Sequence, residues 1–258
     1  MEAPKQRIPN EMLRRMAAAA TIAVDCIHAL HVEGSNLVVE VLRDHREFTE
    51  WEHYPPDDVR DPNSHAQYYF HAHPPEDRGG PEHGHFHTFL RTKGMPPGIY
   101  AARVNGIVPS SSENDAPCHL IAISMSSTGF PERLFTTNRW VTGETWYAAN
   151  DIIAVLDRFS IDLAYPSRPL NQWMTAMFVL FRPQIEQMLI ERDLTIERWK
   201  SEHPGIDVFE DRRLEIASSI DVSLYRQIEW IDRELEMNCG MDSQLDPMER
   251  ADGVDARW

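Results

Sequence analysis

Two short runs alternate histidine with other residues: Tyr69-Phe70-His71-Ala72-His73 and Glu82-His83-Gly84-His85-Phe86-His87. Eight of the twelve histidines fall in the 43 residues from His45 to His87, so the imidazoles are concentrated in one stretch. In an extended strand, residues two apart project from the same face. The spacing therefore places His71 and His73 on one face of one strand, and His83, His85 and His87 on one face of the next. Neutral imidazole is the commonest protein ligand for zinc, iron and copper. The pattern predicts a histidine-lined site for a divalent transition metal, Fe, Cu or Zn.

If the runs pair as an antiparallel hairpin with His73 opposite His83, then His71 faces His85 and Tyr69 faces His87. A loop two residues longer puts His73 opposite His85 and His71 opposite His87. Either register gathers all five imidazoles on one face. Opposed Cβ atoms lie about 5 Å apart, and metal–nitrogen bonds measure about 2.1 Å. Three or four histidines can then meet one ion, leaving the rest for a second ion, a proton relay or a hydrogen-bond shell. His53 and His119 are candidates to complete the set, whereas His45 and His65 sit near turns. The opposite face, with Tyr68, Phe70, Ala72, Gly84, Phe86 and Thr88, reads as core.

Carboxylates near the runs are Asp57, Asp58, Glu76, Asp77 and Glu82. Glu82 is the favoured catalytic candidate and Glu76 the alternative ligand. Strand parity turns Glu82 off the histidine face unless a bulge intervenes. Arg139, within the polar and aromatic stretch Thr136–Glu144, is the candidate clamp for a carboxylate or phosphate.

These side chains need elements to hold them. Leu13, Met16, Ala17, Ala20, Val24, Ile27 and Leu30 recur at helical spacing behind the capping candidate Asn10, and Gly34 suits a stop. A helix over 10–33 follows. Residues 36–43 fit strand or helix. Strands are expected over 48–54, 66–73, 83–91, 119–125, 133–137 and 139–141, with turns at Pro55-Pro56-Asp57-Asp58 and Asp61-Pro62-Asn63-Ser64. Helices are expected over 148–159, 170–182, 183–191, 195–203 and 208–236. Strands and helices are segregated along the chain, which predicts an α+β fold. Its parts are an N-terminal helix over 1–34 packing on the core, and a central antiparallel β-sheet or half-open barrel over 35–145 holding the metal. A C-terminal helical region over 146–240 and a flexible tail over 241–258 follow. The apolar stripe Trp173, Met174, Met177, Phe178 and Phe181 reads as core, with a homodimer face as its alternative use.

The formal charge of −16 argues against nucleic acid and against an anionic membrane surface as partners, since both attract positive charge. Three cysteines, Cys26, Cys118 and Cys239, form no CxxC pair, so neither a disulfide framework nor a zinc finger is expected. Met1–Asn10 carries no signal-peptide core, and the partly apolar run 16–30 is too short and too interrupted to span a bilayer. A reducing cytoplasm is the expected compartment.

His71-x-His73-x-x-Glu76 partly resembles the first motif of the cupins, which implies a small β-barrel with a three-histidine, one-glutamate metal site. The stretches Tyr69–His73, Glu82–Leu90 (EHGHFHTFL) and Leu134–Glu144 (LFTTNRWVTGE) resemble those of an uncharacterised bacterial family over roughly residues 35–150. That resemblance implies no particular activity.

The expectation is a metal-dependent enzyme acting on a small molecule, with Trp51, Tyr54, Tyr68, Tyr69, Phe70, Phe86 and Trp140 supplying a semi-dry pocket. Oxidoreductase chemistry is favoured over hydrolysis because no general base is evident. Alternatives are a non-catalytic protein of metal storage, delivery or sensing, and a haem or small-ligand module, for which the lack of CxxCH excludes only covalent haem.

Overall fold

The stripe of Leu13, Met16, Ala20, Ala23 and Leu30 is buried along one side of α1 (Asn10–Val32) in the computed structural model, which describes residues 7–74, 82–104 and 115–242. Pro9 takes the capping position, and Asn10 is the first helical residue rather than the cap. The helix stops at Gly34, whose φ of +73° lies in the left-handed region that a Cβ disfavours. Residues 36–43 resolve to helix. The Asn36 side chain accepts from the backbone N–H groups of Val38 and Val39 at 2.9 and 3.0 Å and starts α2 (Leu37–Leu42).

Six strands follow: β1 (Tyr54–Arg60), β2 (Ala66–His71), β3 (Gly84–Arg91), β4 (Pro117–Met125), β5 (Pro131–Thr137) and β6 (Ile216–Asp221). They pair antiparallel in the order β1-β2-β3-β4-β5-β6, and the sheet is not closed. Two expectations fail at its edges. Residues 48–53 form no strand, and Pro55-Pro56-Asp57-Asp58 is not a turn but the start of β1. An edge strand has one unpaired side, so prolines without N–H donors fit there. The helix expected over 208–236 is a 3-10 turn, then the second edge strand β6, then α7 (Leu224–Asp242). Residues 139–141 are not strand but part of α3 (Arg139–Thr142), whose first N–H bonds the Asn138 side chain at 2.8 Å.

The remaining helices are α4 (Ala149–Val155), α5 (Arg168–Leu180) and α6 (Arg182–Glu202), the last joining two segments expected to be separate. Pro183 sits in the first turn of α6, where its missing N–H costs nothing.

Paired residues share a face, so Phe70, Phe86, Ile123, Leu134 and Ile220 form one row across the sheet. Helices cover this face. Trp173 of α5 packs 6.1 Å from Phe86 between ring centres, and Tyr68 donates to Asn171 of α5 at 2.5 Å. Ser218 of β6 donates to the Met188 carbonyl of α6 at 2.8 Å, and α1 packs on α5 and α7. Trp173, Met174, Met177, Phe178 and Phe181 are buried, so this stripe is core and offers nothing to a partner copy. Among the described residues, no helix is long and apolar enough to cross a membrane. The expected tail lies outside the described residues from 243 onward.

Candidate metal centre

The other face of the sheet carries the imidazoles. β2 and β3 pair with His71 opposite His85 and Tyr69 opposite His87, which is the register with the shorter loop. Pairing to β4, β5 and β6 extends this into two rows. The first is His71, His85, Ser124, Arg133 and Asp221; the second is Tyr69, His87, Ala122, Phe135 and Ser219.

His71, His85 and His87 are buried, and each offers a ligand atom within 4.8 Å of the others. His71 Nε2 and His85 Nε2 stand 2.7 Å apart. Burial, with the neighbouring imidazoles adding to it, pushes His71 down to about 2 and His87 well below its ordinary value. Both are therefore neutral at pH 7 and present lone pairs. This triad is placed to hold a metal ion.

Glu82 supports it from just outside β3. At Glu82 the chain has not yet entered the β3 ladder, so strand parity does not bind it. One carboxylate oxygen lies 3.1 Å from His85 Nδ1; the other accepts from Ser124 and, at 3.2 Å, from Arg133. Burial opposes ionisation of Glu82, but His85, Ser124 and Arg133 together outweigh it and hold the carboxyl down at about 2. An ionised Glu82 accepts a hydrogen bond from Nδ1–H of His85, which leaves Nε2 as the lone-pair atom facing His71. A carboxylate behind a histidine in this way orients metal-binding imidazoles generally.

His119 stands behind His87, with Nε2 3.0 Å from His87 Nδ1 and Nδ1 3.4 Å from the Thr137 hydroxyl. Burial lowers it to about 3. Its backbone N–H donates at 2.8 Å to Glu144, whose second oxygen is buried without a hydrogen-bond partner among the described residues. Burial raises Glu144 to about 8 against the opposing pull of Arg192.

Residues 16–222 match the family model of a domain of unknown function, DUF6969. The chain belongs to the DUF6969 family. The match contains the whole triad with Glu82, Ser124, Arg133 and Glu144. No curated protein and no solved structure matches the chain.

The other histidines singled out from the sequence take varied places around this DUF6969 site. The His73 ring lies 5.0 and 5.2 Å from those of His71 and His85 and stacks on Trp51 at 4.3 Å. It borders, with His85, His87, Arg133, Phe135 and Thr137, a cavity of about 50 Å³. His53 precedes β1, stacks on Tyr69 at 3.5 Å, and bonds Asp58 through Nδ1 at 3.0 Å. His83 is exposed and the structure does not bring it to the triad; β3 pairing begins at Gly84, so the alternation does not reach back to it. Arg139 opens α3 and pairs with Glu210, and no histidine is among its bonded partners in the described residues. Its neighbour on that stretch, Trp140, donates to the Leu214 carbonyl at 2.8 Å. Glu76 and Asp77 lie outside the described residues.

Sequence reasoning missed Ser124 and Arg133, which nothing in their own segments marks; it noted Thr137 and Glu144 only as members of the polar and aromatic stretch Thr136–Glu144 and gave neither a role. Ser124 and Arg133 join the site only through the pairing of β3 to β4 and β4 to β5.

Proposed function

We propose that the chain is a metal-dependent enzyme binding Fe, Cu or Zn through His71, His85 and His87, and that it is an oxidoreductase rather than a hydrolase. The approach of His71 Nε2 to His85 Nε2 at 2.7 Å, with Glu82 directing His85 from behind, carries this reading. A metal held there would supply Lewis acidity or, for iron and copper, electron transfer. His73 is the proposed fourth ligand, since its ring borders both His71 and His85. His119 is the proposed hydrogen-bonding partner of a ligand, and His53 with Tyr69 forms a wall.

The preference for redox chemistry rests on Glu82. Both of its oxygens are engaged, and it is held at about 2, which makes it a poor proton acceptor for activating water. Cys26 and Cys118 are free and buried, which fits a reducing compartment.

Elemental analysis of untagged protein, purified without chelators or nickel resin, tests this. Near-stoichiometric iron, copper or zinc is expected, and no metal before or after reconstitution overturns it. A second reading, metal storage, delivery or sensing without catalysis, draws on the size of the space before the triad. About 50 Å³ admits water but little more. Rapid exchange among several ions would favour this reading. The same size disfavours the haem alternative.

A further inference from the structure

Arg139, the anion clamp suggested by the sequence, is spent on Glu210. Arg133 stands instead in the histidine row, opposite Ser124 and two strands from His85. One of its terminal nitrogens lies 3.2 Å from Glu82, and its guanidinium carbon sits 5.2 Å from the centre of the Phe135 ring. Among the described residues its side chain makes no other hydrogen bond or ion pair. A guanidinium has five N–H donors in a planar fork, so most of them are unspent. The side chain is 25% exposed. Arg133 also borders two spaces at once: the small cavity before the triad and a groove of about 690 Å³. That volume falls in the usual range for small-molecule sites.

Charge narrows the ligand. Imidazole ligates as the neutral ring, so three histidine ligands would cancel none of a divalent ion's charge, and Glu82 and Arg133 cancel each other. A loaded site therefore keeps the charge of its ion and favours an anion. Asp221, the register partner of Arg133 on β6, and the neighbouring Glu132 also line the groove, and their carboxylates repel a second negative group. The same wall has apolar surface from Phe130, Val222 and Leu224.

We propose that Arg133 is the specificity-determining residue of this site and that the groove takes a small organic monocarboxylate. The carboxylate binds Arg133 at the histidine end, and the apolar body lies along Phe130, Val222 and Leu224. The charge that draws the anion, and the chemistry done on it, rest on the metal reading; the donor fork of Arg133 that orients the carboxylate does not.

Calorimetric titration with acetate, hexanoate and benzoate, with benzamide as the neutral control, tests the proposal on zinc-loaded and metal-free protein. Wild type is expected to bind hexanoate or benzoate and not benzamide. Arg133→Met should weaken binding about tenfold or more, as expected for loss of a hydrogen bond to a charged group. Arg133→Lys should fall between, keeping the charge but not the fork, and Arg139→Met should match wild type. Circular dichroism and zinc content check each variant. The proposal is overturned if none of the three acids binds wild type, if benzamide binds as well as benzoate, or if both Arg133 variants bind as wild type does. If zinc is not taken up yet acid binding still depends on Arg133, the metal reading fails and this one stands.

Discussion

His71 and His85 are register partners on adjacent strands, and their Nε2 atoms stand 2.7 Å apart. Because Nδ1–H of His85 donates to the Glu82 carboxylate, the His85 Nε2 is an acceptor, and His71 must donate from Nε2 when no ion is bound. A metal held by the triad would take the place of that shared proton, with His71 and His85 each supplying a nitrogen lone pair. His71→Ala and His85→Ala are each expected to abolish metal binding. Elemental analysis of the two variants checks this, and full occupancy in both would reject the ligand assignment.

Glu82→Gln removes the charge that directs His85. Loss of such a partner typically costs 10–100-fold in metal affinity. Competition with a chelator of known affinity should show a drop of about that size, and an affinity equal to wild type would remove Glu82 from the site.

Acid should destabilise the metal-free protein. Folded His71 is held at about 2 and His119 at about 3, chiefly by burial, against an ordinary value of 6.5. As pH falls below 6.5 the unfolded chain takes up these protons and the folded chain does not. The contribution is therefore complete above pH 6.5 and is lost as pH drops toward the folded values, at about 1.4 kcal/mol per unit for each histidine. Urea midpoints at pH 7, 6 and 5 should decline in that order, and a flat series would contradict the buried neutral state.

Glu144 has the opposite sign. Unfolded it loses its proton near 4.5, but folded it keeps it to about 8, mainly through burial. Its contribution is full below 4.5 and is lost as pH rises to about 8. Glu144→Gln cannot ionise, and its amide oxygen can still accept from the His119 N–H. The variant should gain on wild type as pH is raised, by about 1–3 kcal/mol at pH 8.5, within the cost of a buried uncompensated group. A difference in stability that does not change between pH 5 and 8.5 would count against a raised Glu144.

Gly84 explains why the second histidine run is interrupted as it is. A Cβ there would collide with the Phe70 ring and come within 2.7 Å of the His71 carbonyl. Gly84→Ala should therefore push β2 from β3, costing about 1–3 kcal/mol as overpacking does, and should lower metal affinity with it. Unchanged melting and affinity would show that the strands are not this close.

Alternation over Tyr69–His73 and Glu82–His87 is enough to name His71, His85 and His87, because side-chain parity along a strand is a local property. It misplaces His83, since parity holds only once the ladder begins, at Gly84. It leaves open which of two registers is used. The helical stripe from Leu13 to Leu30 is legible for the same local reason. β1 and β6 are not, because an edge strand pairs on one side only and tolerates prolines or exposed polar residues that read as turn or helix.

The sequence alone thus determines that imidazoles crowd one face of two neighbouring strands and that helices follow. Only the tertiary structure decides that Arg133 rather than Arg139 stands beside them, that Ser124 and Glu82 direct His85, and that Glu144 lies buried behind His119. The reason is physical. Period and parity are set by each strand's own backbone. The side chain that arrives opposite from a strand dozens of residues away is set by the pairing of β3, β4 and β5 and by the packing of Phe86, Ile123 and Leu134 against the helices.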